Sequence, residues 1–466
     1  MQYGFTDRIV SQKRGPFLKL TKDRSFYLWF FRLTLTIALQ NLVVFSVNLA
    51  DNIMLGAYQE TSLSGVALVN QIQFLLQMLT MGVGEGIVVL SSQYWGKRDI
   101  TSIKRILSGG LRVGLVIAAL LWAVVFFFPH EVLSLFTPDQ AVVEEGVRYL
   151  RIICFSYFFF SYTNILLCAF RSVEIVRVGI VVSLSTLCIN VCLNSLLIFG
   201  NLGAPRLGAA GAAVATLTAR IVESVIVTVY LFRVDRKLQF HPTDFLKFDV
   251  LLFRDAVRTG APVLASNAIW GLAMGTQTAI LGHLGAQAIA ANSIAATVFQ
   301  ILSVAAYGSA SASCVIIGKT IGEGRTELVK QYAATMQILF LGIGLLTGLA
   351  LFSVKEAILS VYAISEDSKV LAEQFLTILS VTSIGTAYQM PVLTGIVRGG
   401  GDTSFVFLND TIFMWCIVLP ASTAAAFLFQ LPPVIVFLCL KSDQILKCFV
   451  AVVKVNRYRW IRSLAR

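Results

Sequence analysis

Asp51 is a carboxylate set inside the apolar run SFYLWFFRLTLTIALQNLVVFSVNLADNIMLG. Burying such a charge in hydrocarbon costs about 2.5–3.5 kcal/mol on insertion scales, so Asp51 is expected to line a cavity, meet a cation, or both. Asn190 and Asn194 stand four residues apart in another apolar run and share a helix face, and Thr216 lies in the next run. At 1.5 Å per helical residue, Asp51 lies about 7–8 Å below the outer end of its run at Gly56. On the same scale Asn194 lies about 9 Å and Asn190 about 15 Å below Gly200, and Thr216 about 12 Å below Gly208. Four oxygen-bearing side chains thus fall in one layer. A carboxylate with amide and hydroxyl oxygens suits a hard cation such as Na⁺, held by Asp51, Asn190 and Asn194, or a proton carried on the carboxyl. Interhelical hydrogen bonding is the structural alternative for the Asn pair; the shared depth with Asp51 favours the cation site.

Other polar groups inside apolar runs divide more evenly. Glu85, in GVGEG, reads equally as a second proton carrier, a wall of an inward cavity, or a paired structural carboxylate. Glu223 is expected to pair locally with Arg220, and Asp410 to be interfacial or gating. Lys441, Asp443 and Lys447 give the last run an amphipathic, peripheral character. Tyr162, Asn164, Gln40, Gln71 and Gln277, with Asn41, Asn70 and Gln73, fit a substrate cavity and packing roles alike. The eight cysteines are expected to be buried free thiols, and the Phe runs 126–128 and 158–160 to face lipid.

The elements that position these residues follow from composition. The 466 residues are 57% hydrophobic and 13% charged, with mean hydropathy +0.79; soluble domains carry about 25% charged residues. The chain is therefore expected to be an all-α polytopic membrane protein. Twelve runs are long enough to cross a core of about 30 Å: 26–56, 62–94, 106–128, 147–170, 176–199, 208–232, 259–282, 288–317, 332–352, 370–396, 404–429 and 433–453. No cleavable signal precedes them.

With the N-terminus inside, Lys and Arg concentrate in the inside segments, while the outside loops hold only Arg206, Lys355 and Lys369. The positive-inside rule then places both termini in the cytoplasm. The net charge of +12 is thereby a topology signal and not a nucleic-acid footprint.

A shift of the chain by 226 residues lays 51–105 on 277–331, matching Gly82 with Gly308, Gly96 with Gly322 and Asp51 with Gln277. Six spans per half keep both halves in one orientation, which implies a pseudo-two-fold axis along the membrane normal and a cavity between two lobes. The expected organisation is a cytoplasmic segment 1–25, an N-lobe 26–232, a charged linker 233–258 forming a surface helix, a C-lobe 259–453 and a basic tail 454–466. The charge asymmetry at Asp51 and Gln277 suggests that the N-lobe alone handles a cation.

LADNIMLG (49–56), QYWGKRD (93–99), NVCLNSLLIFGNLGAPRLGAAGAAVATLTARIVE (190–223) and VRGGGDTSFVF (397–407) together resemble the multidrug and toxic compound extrusion family, over residues 30–462. The resemblance implies alternating-access export of bulky, often cationic organic compounds, driven by Na⁺ or H⁺, without a cofactor. It implies a coupling role for Asp51, Asn190 and Thr216, and it marks Asn194 as standing where members with a defined Na⁺ site carry Asp. A monomer in a bacterial inner membrane is expected, with small organic substrates, the coupling ion and lipids as its partners. The competing expectation is a flippase for lipid-linked sugars, whose cavity would carry Arg or Lys for a pyrophosphate. With His130, His241 and His283 all in loops or at run ends, no catalytic constellation supports an enzyme.

Overall fold

In a membrane core every backbone N–H and C=O has to find its partner within the chain, which leaves an apolar sequence of this kind only the helix. The computed structural model describes residues 20–247, 249–360 and 365–466 and is helical nearly throughout them. The first half holds α1 (Arg24–Tyr58), α2 (Glu60–Gly96), α3 (Ile100–Phe127), α4 (Gln140–Ile153), α5 (Ser156–Ser172), α6 (Arg177–Phe199) and α7 (Ala209–Val229). The second holds α8 (Val250–Gly282), α9 (Ala286–Gly322), α10 (Thr326–Ser360), α11 (Glu366–Val397), α12 (Thr403–Leu428), α13 (Pro433–Lys441) and α14 (Asp443–Asn456). Among the described residues nine helices are each long and apolar enough to cross a membrane, and α4 with α5, bent by 55°, makes a tenth crossing. Helix α8, with Arg254, Asp255 and Arg258 in its first turns, and the pair α13 and α14, joined at Ser442, complete the twelve expected spans.

Local chemistry sets several boundaries. Asp23, Asp99, Asp139 and Asp249 cap α1, α3, α4 and α8 by accepting backbone N–H groups of the first turn. Of the charged stretch 233–258, residues from Val250 onward already belong to α8. Before them the chain forms a short 3₁₀ turn at Pro242–Phe245 where a surface helix was expected. Most of the N-terminal segment, residues 1–19, lies outside the described residues.

The two halves pack about a pseudo-two-fold axis that the 226-residue shift locates. Gly82 packs on Leu264 of α8, and its shifted mate Gly308 packs on Ala38, the shifted mate of Leu264. Gly96 and Gly322 touch one another: a Cβ on Gly96 would stand 2.9 Å from Gly322 Cα. Ser92 and Gly318, a second pair of mates, also meet. Mates related by a two-fold touch each other only on the axis, so α2 and α9 cross it at the end bearing the basic loops. Toward the other end the last close approach is Gly271 on Met78 and Phe74; beyond it Gly275 and Gly282 have nothing within 4 Å. The lobes are packed together at the basic end, and the glycine contacts between them stop at Gly271.

Helix α1 is shared between the lobes. Its first half buries Phe26, Phe30, Leu33 and Ile37 among α9, α10 and α11, whereas Leu55 at its far end joins an N-lobe core with Val66, Leu150 and Ile198. The amphipathic last run packs its charged side against the bundle: Asp443 and Lys447 are buried, and Lys447 reaches Asp410 at 3.0 Å and Asp443 at 3.4 Å inside the C-lobe. The expectation of buried cysteines throughout fails. Cys188, Cys192 and Cys416 lie exposed on the helix surfaces, where lipid contact serves a thiol as well as a protein core does.

Candidate functional site

Asp51 comes from the N-lobe half of α1, Asn190 and Asn194 from α6, and Thr216 from α7, and the fold brings all four together. Asn194 Nδ2 donates to Asp51 Oδ1 in a short contact and also to Asn190 Oδ1 at 3.1 Å; Asn190 Nδ2 donates to Thr216 Oγ1 at 3.1 Å. Both Asn side chains are fully buried. Asn194 Oδ1 is buried with no hydrogen-bond partner. An orphaned acceptor beside a carboxylate is unfavourable without a cation or proton donor to meet it, so the donor set fits a hard monovalent ion. Tyr149 of α4, wholly buried, brings its hydroxyl to Thr216 and faces Asp51. Sequence reasoning missed it because VRYLR reads as the polar start of a span. Arg220, one turn along α7 from Thr216, is engaged by Glu223 at 2.8 Å, as expected, and lies over the Phe160 ring.

The expected cavity residues do not gather. Gln40 is buried against Gly179 of α6, and Tyr162 bonds Thr228 at 2.9 Å within the N-lobe. Asn164 is half-buried, with its Nδ2 unpartnered, and Gln71 is exposed on α2. Gln277 is enclosed in the C-lobe, its Nε2 3.3 Å from Met414 Sδ, and so is part of that lobe's packing.

Glu85 of α2 reaches across the lobe interface. Its Oε2 accepts from Arg398 Nη1 at 2.6 Å, at the end of α11, and from Asn267 Nδ2 of α8 at 3.1 Å. Nearby, Arg171 at the end of α5 donates to Ser311 of α9 at 3.2 Å, and Lys319 pairs with Glu174 at 2.6 Å. Neither Arg398 nor Asn267 was singled out by the sequence, since a pair 313 residues apart leaves no local signal.

Helical lobes related by the internal repeat, with one carboxylate among buried amides, form an arrangement expected of a membrane transporter. The MatE family model matches the chain twice, over residues 36–196 and 262–422, copies offset by the same 226 residues as the internal shift. The chain belongs to this family of multidrug and toxic compound extrusion transporters. It is similar to a probable multidrug resistance protein NorM of Listeria innocua, 26% identical over 428 residues, covering 90% of this chain and 92% of that one. An uncharacterized transporter of Bacillus subtilis, YisQ, is 23% identical over 86% of this chain and 88% of its own length. Among solved structures, an outward-facing multidrug resistance MATE family transporter superposes with a TM-score of 0.84 at 18% identity, covering 94% of this chain and 98% of that one. The bent form of the Vibrio cholerae transporter VcmN gives 0.83 at 18%, with the same coverage.

Proposed function

We propose that this protein exports bulky, often cationic organic compounds from a bacterial cytoplasm across the inner membrane in exchange for Na⁺ or H⁺, acting as a monomer with both termini cytoplasmic. On this topology the basic end, where the lobes are packed together, is the cytoplasmic one. The observation that carries the reading is the Asp51 cluster: one carboxylate, bracketed by buried amides, with an acceptor oxygen on Asn194 left unmet. A monovalent cation or a proton neutralises it fully. Neutralisation removes the cost of packing a charge against α6 and α7, so α1 settles into the N-lobe, the cavity between the lobes narrows, and the exported compound leaves. Because the first half of α1 is anchored in the C-lobe core, its movement reaches both lobes.

The test is ethidium efflux from energised vesicles, wild type against Asp51→Asn, with Na⁺ and pH gradients imposed separately. Efflux driven by one gradient and abolished by the substitution is expected; undiminished ion-driven efflux from the variant would sink the reading. The buried Arg398 and the neighbouring Arg171 favour a second reading, a flippase gripping a lipid pyrophosphate. Arg398 is, however, already neutralised by Glu85.

A further inference from the structure

The Glu85–Arg398 pair is unequal in a way that a purely structural ion pair need not be. The guanidinium side chain is 6% exposed and sealed among C-lobe helices, while the carboxylate side chain is 31% exposed. Glu85 lies about 16 Å from the end of α2 at Gly96, hence at mid-membrane. Three residues before it and one residue after it the lobes are in backbone contact, Gly82 on Leu264 and Gly86 on Gly260. Glu85 thus sits in the seam between the lobes, inward of the approach of Gly271 to Met78, with part of its carboxylate exposed. Among the described residues only Oε2 is engaged, by Arg398 and Asn267.

Both partners belong to the C-lobe and Glu85 to the N-lobe, so the bonds exist only while the lobes meet at the basic end. Parting them there would leave a carboxylate at mid-membrane without its counter-charge, which is unfavourable. A guest with a positive charge would offset that cost.

We propose that Glu85 is the recognition carboxylate for the cationic nitrogen or phosphonium of an exported compound, and that Arg398 is its built-in competitor. The proposal rests on the exporter reading above. When the lobes part at the basic end, Arg398 moves away with the C-lobe and Glu85 takes the organic cation. When they close, Arg398 returns to Oε2 and displaces the guest. Arg171, held to Ser311 in the same region, leaves Glu85, Arg398 and Arg171 with one net positive charge in the closed arrangement, which further disfavours a retained cation. The exchange supplies a direction for release that needs no change at Asp51 beyond its own neutralisation.

The experiment measures ethidium and tetraphenylphosphonium binding to purified protein in nanodiscs, together with ethidium efflux in vesicles. Glu85→Gln is expected to weaken both bindings about tenfold, as loss of a charge-assisted contact does. Arg398→Gln is expected to tighten them several-fold while slowing efflux, because the competitor is gone. Arg398→Lys, which keeps the charge, is expected to restore efflux, and the retained binding of Arg398→Gln shows that this variant folds. Unchanged binding in Glu85→Gln, or weakened binding in Arg398→Gln, would overturn the exchange while leaving the exporter reading intact. Failure of the wild-type protein to bind either cation would overturn both.

Discussion

Asp51 brings one negative charge to a cluster whose other members, Asn190, Asn194, Thr216 and Tyr149, are neutral. A site of this valence is balanced by a single monovalent ion, and Asn194 decides which. Its amide donates to Asp51 and its own oxygen is left over, whereas a carboxylate at that position would add a second charge and remove the donor. Asn194→Asp is therefore expected to strengthen Na⁺ dependence, lowering the Na⁺ concentration for half-maximal efflux about tenfold, since an added anionic ligand favours a hard cation. A Na⁺ titration of ethidium efflux checks it; an unchanged or raised midpoint would show that position 194 does not face the ion. Asp51, Asn190, Asn194 and Thr216 were legible in the sequence because depth in a helix is a matter of counting residues. Tyr149 and Arg398 were not, because each acts through a neighbour on a distant helix.

At the scale of elements, α2 and α8 pack backbone to backbone across the lobes. A Cβ on Gly86 would lie 2.7 Å from Gly260 Cα, so Gly86→Ala cannot be accommodated unless the backbones separate. Gly275, further along α8, faces open space, and alanine there reduces only the freedom of the unfolded chain. Opposite signs are expected: Gly86→Ala destabilises by about 1–3 kcal/mol, as overpacking does, and Gly275→Ala is neutral or stabilising by up to about 1 kcal/mol. Thermal unfolding in one detergent compares them, and equal effects would contradict the placement. The connection between the lobes offers a pH test. Burial alone would raise the Asp244 pKa, but hydrogen bonds from Lys247, the His241 N–H and Lys104 together hold it below the usual carboxylate range. A carboxyl with a depressed pKa contributes stability above its unfolded pKa and loses it as pH falls through the folded one. Acidification below about pH 4 is thus expected to lower hydrogen-exchange protection, taken relative to an unstructured peptide at the same pH, in residues 235–249. Asp244→Asn is expected to be poorly protected at every pH, and acid-independent protection in the wild-type chain would argue against the fastening.

Across the whole molecule, the residues after α14 strap the lobes together at the basic end. Trp460 anchors the strap in the C-lobe, fully buried against Gly400 with its Nε1 donating to Val455 O at 2.8 Å. From there the chain crosses to the N-lobe. Gln93 on α2 donates through Nε2 to Arg462 O at 3.1 Å and accepts the Leu464 N–H at 2.7 Å, and Lys97 Nζ reaches Ala465 O at 2.7 Å. One side chain thus satisfies two backbone groups of a peptide belonging to the other lobe, so opening at this end requires these bonds to break. Gln93→Ala leaves both backbone groups unmet, a loss of about 1–3 kcal/mol confined to the closed arrangement, and is expected to shift the population toward the opened one. Cys314 supplies the reporter, since it is buried with Val88, Val89 and Cys168 between the lobes at this end. In a chain retaining Cys314 as its only cysteine, Gln93→Ala is expected to speed labelling by a charged methanethiosulfonate about tenfold or more. Unaltered labelling would mean that the strap follows the lobes instead of restraining them, and would move the task of holding this end shut to the Glu85–Arg398 pair and the glycine contacts.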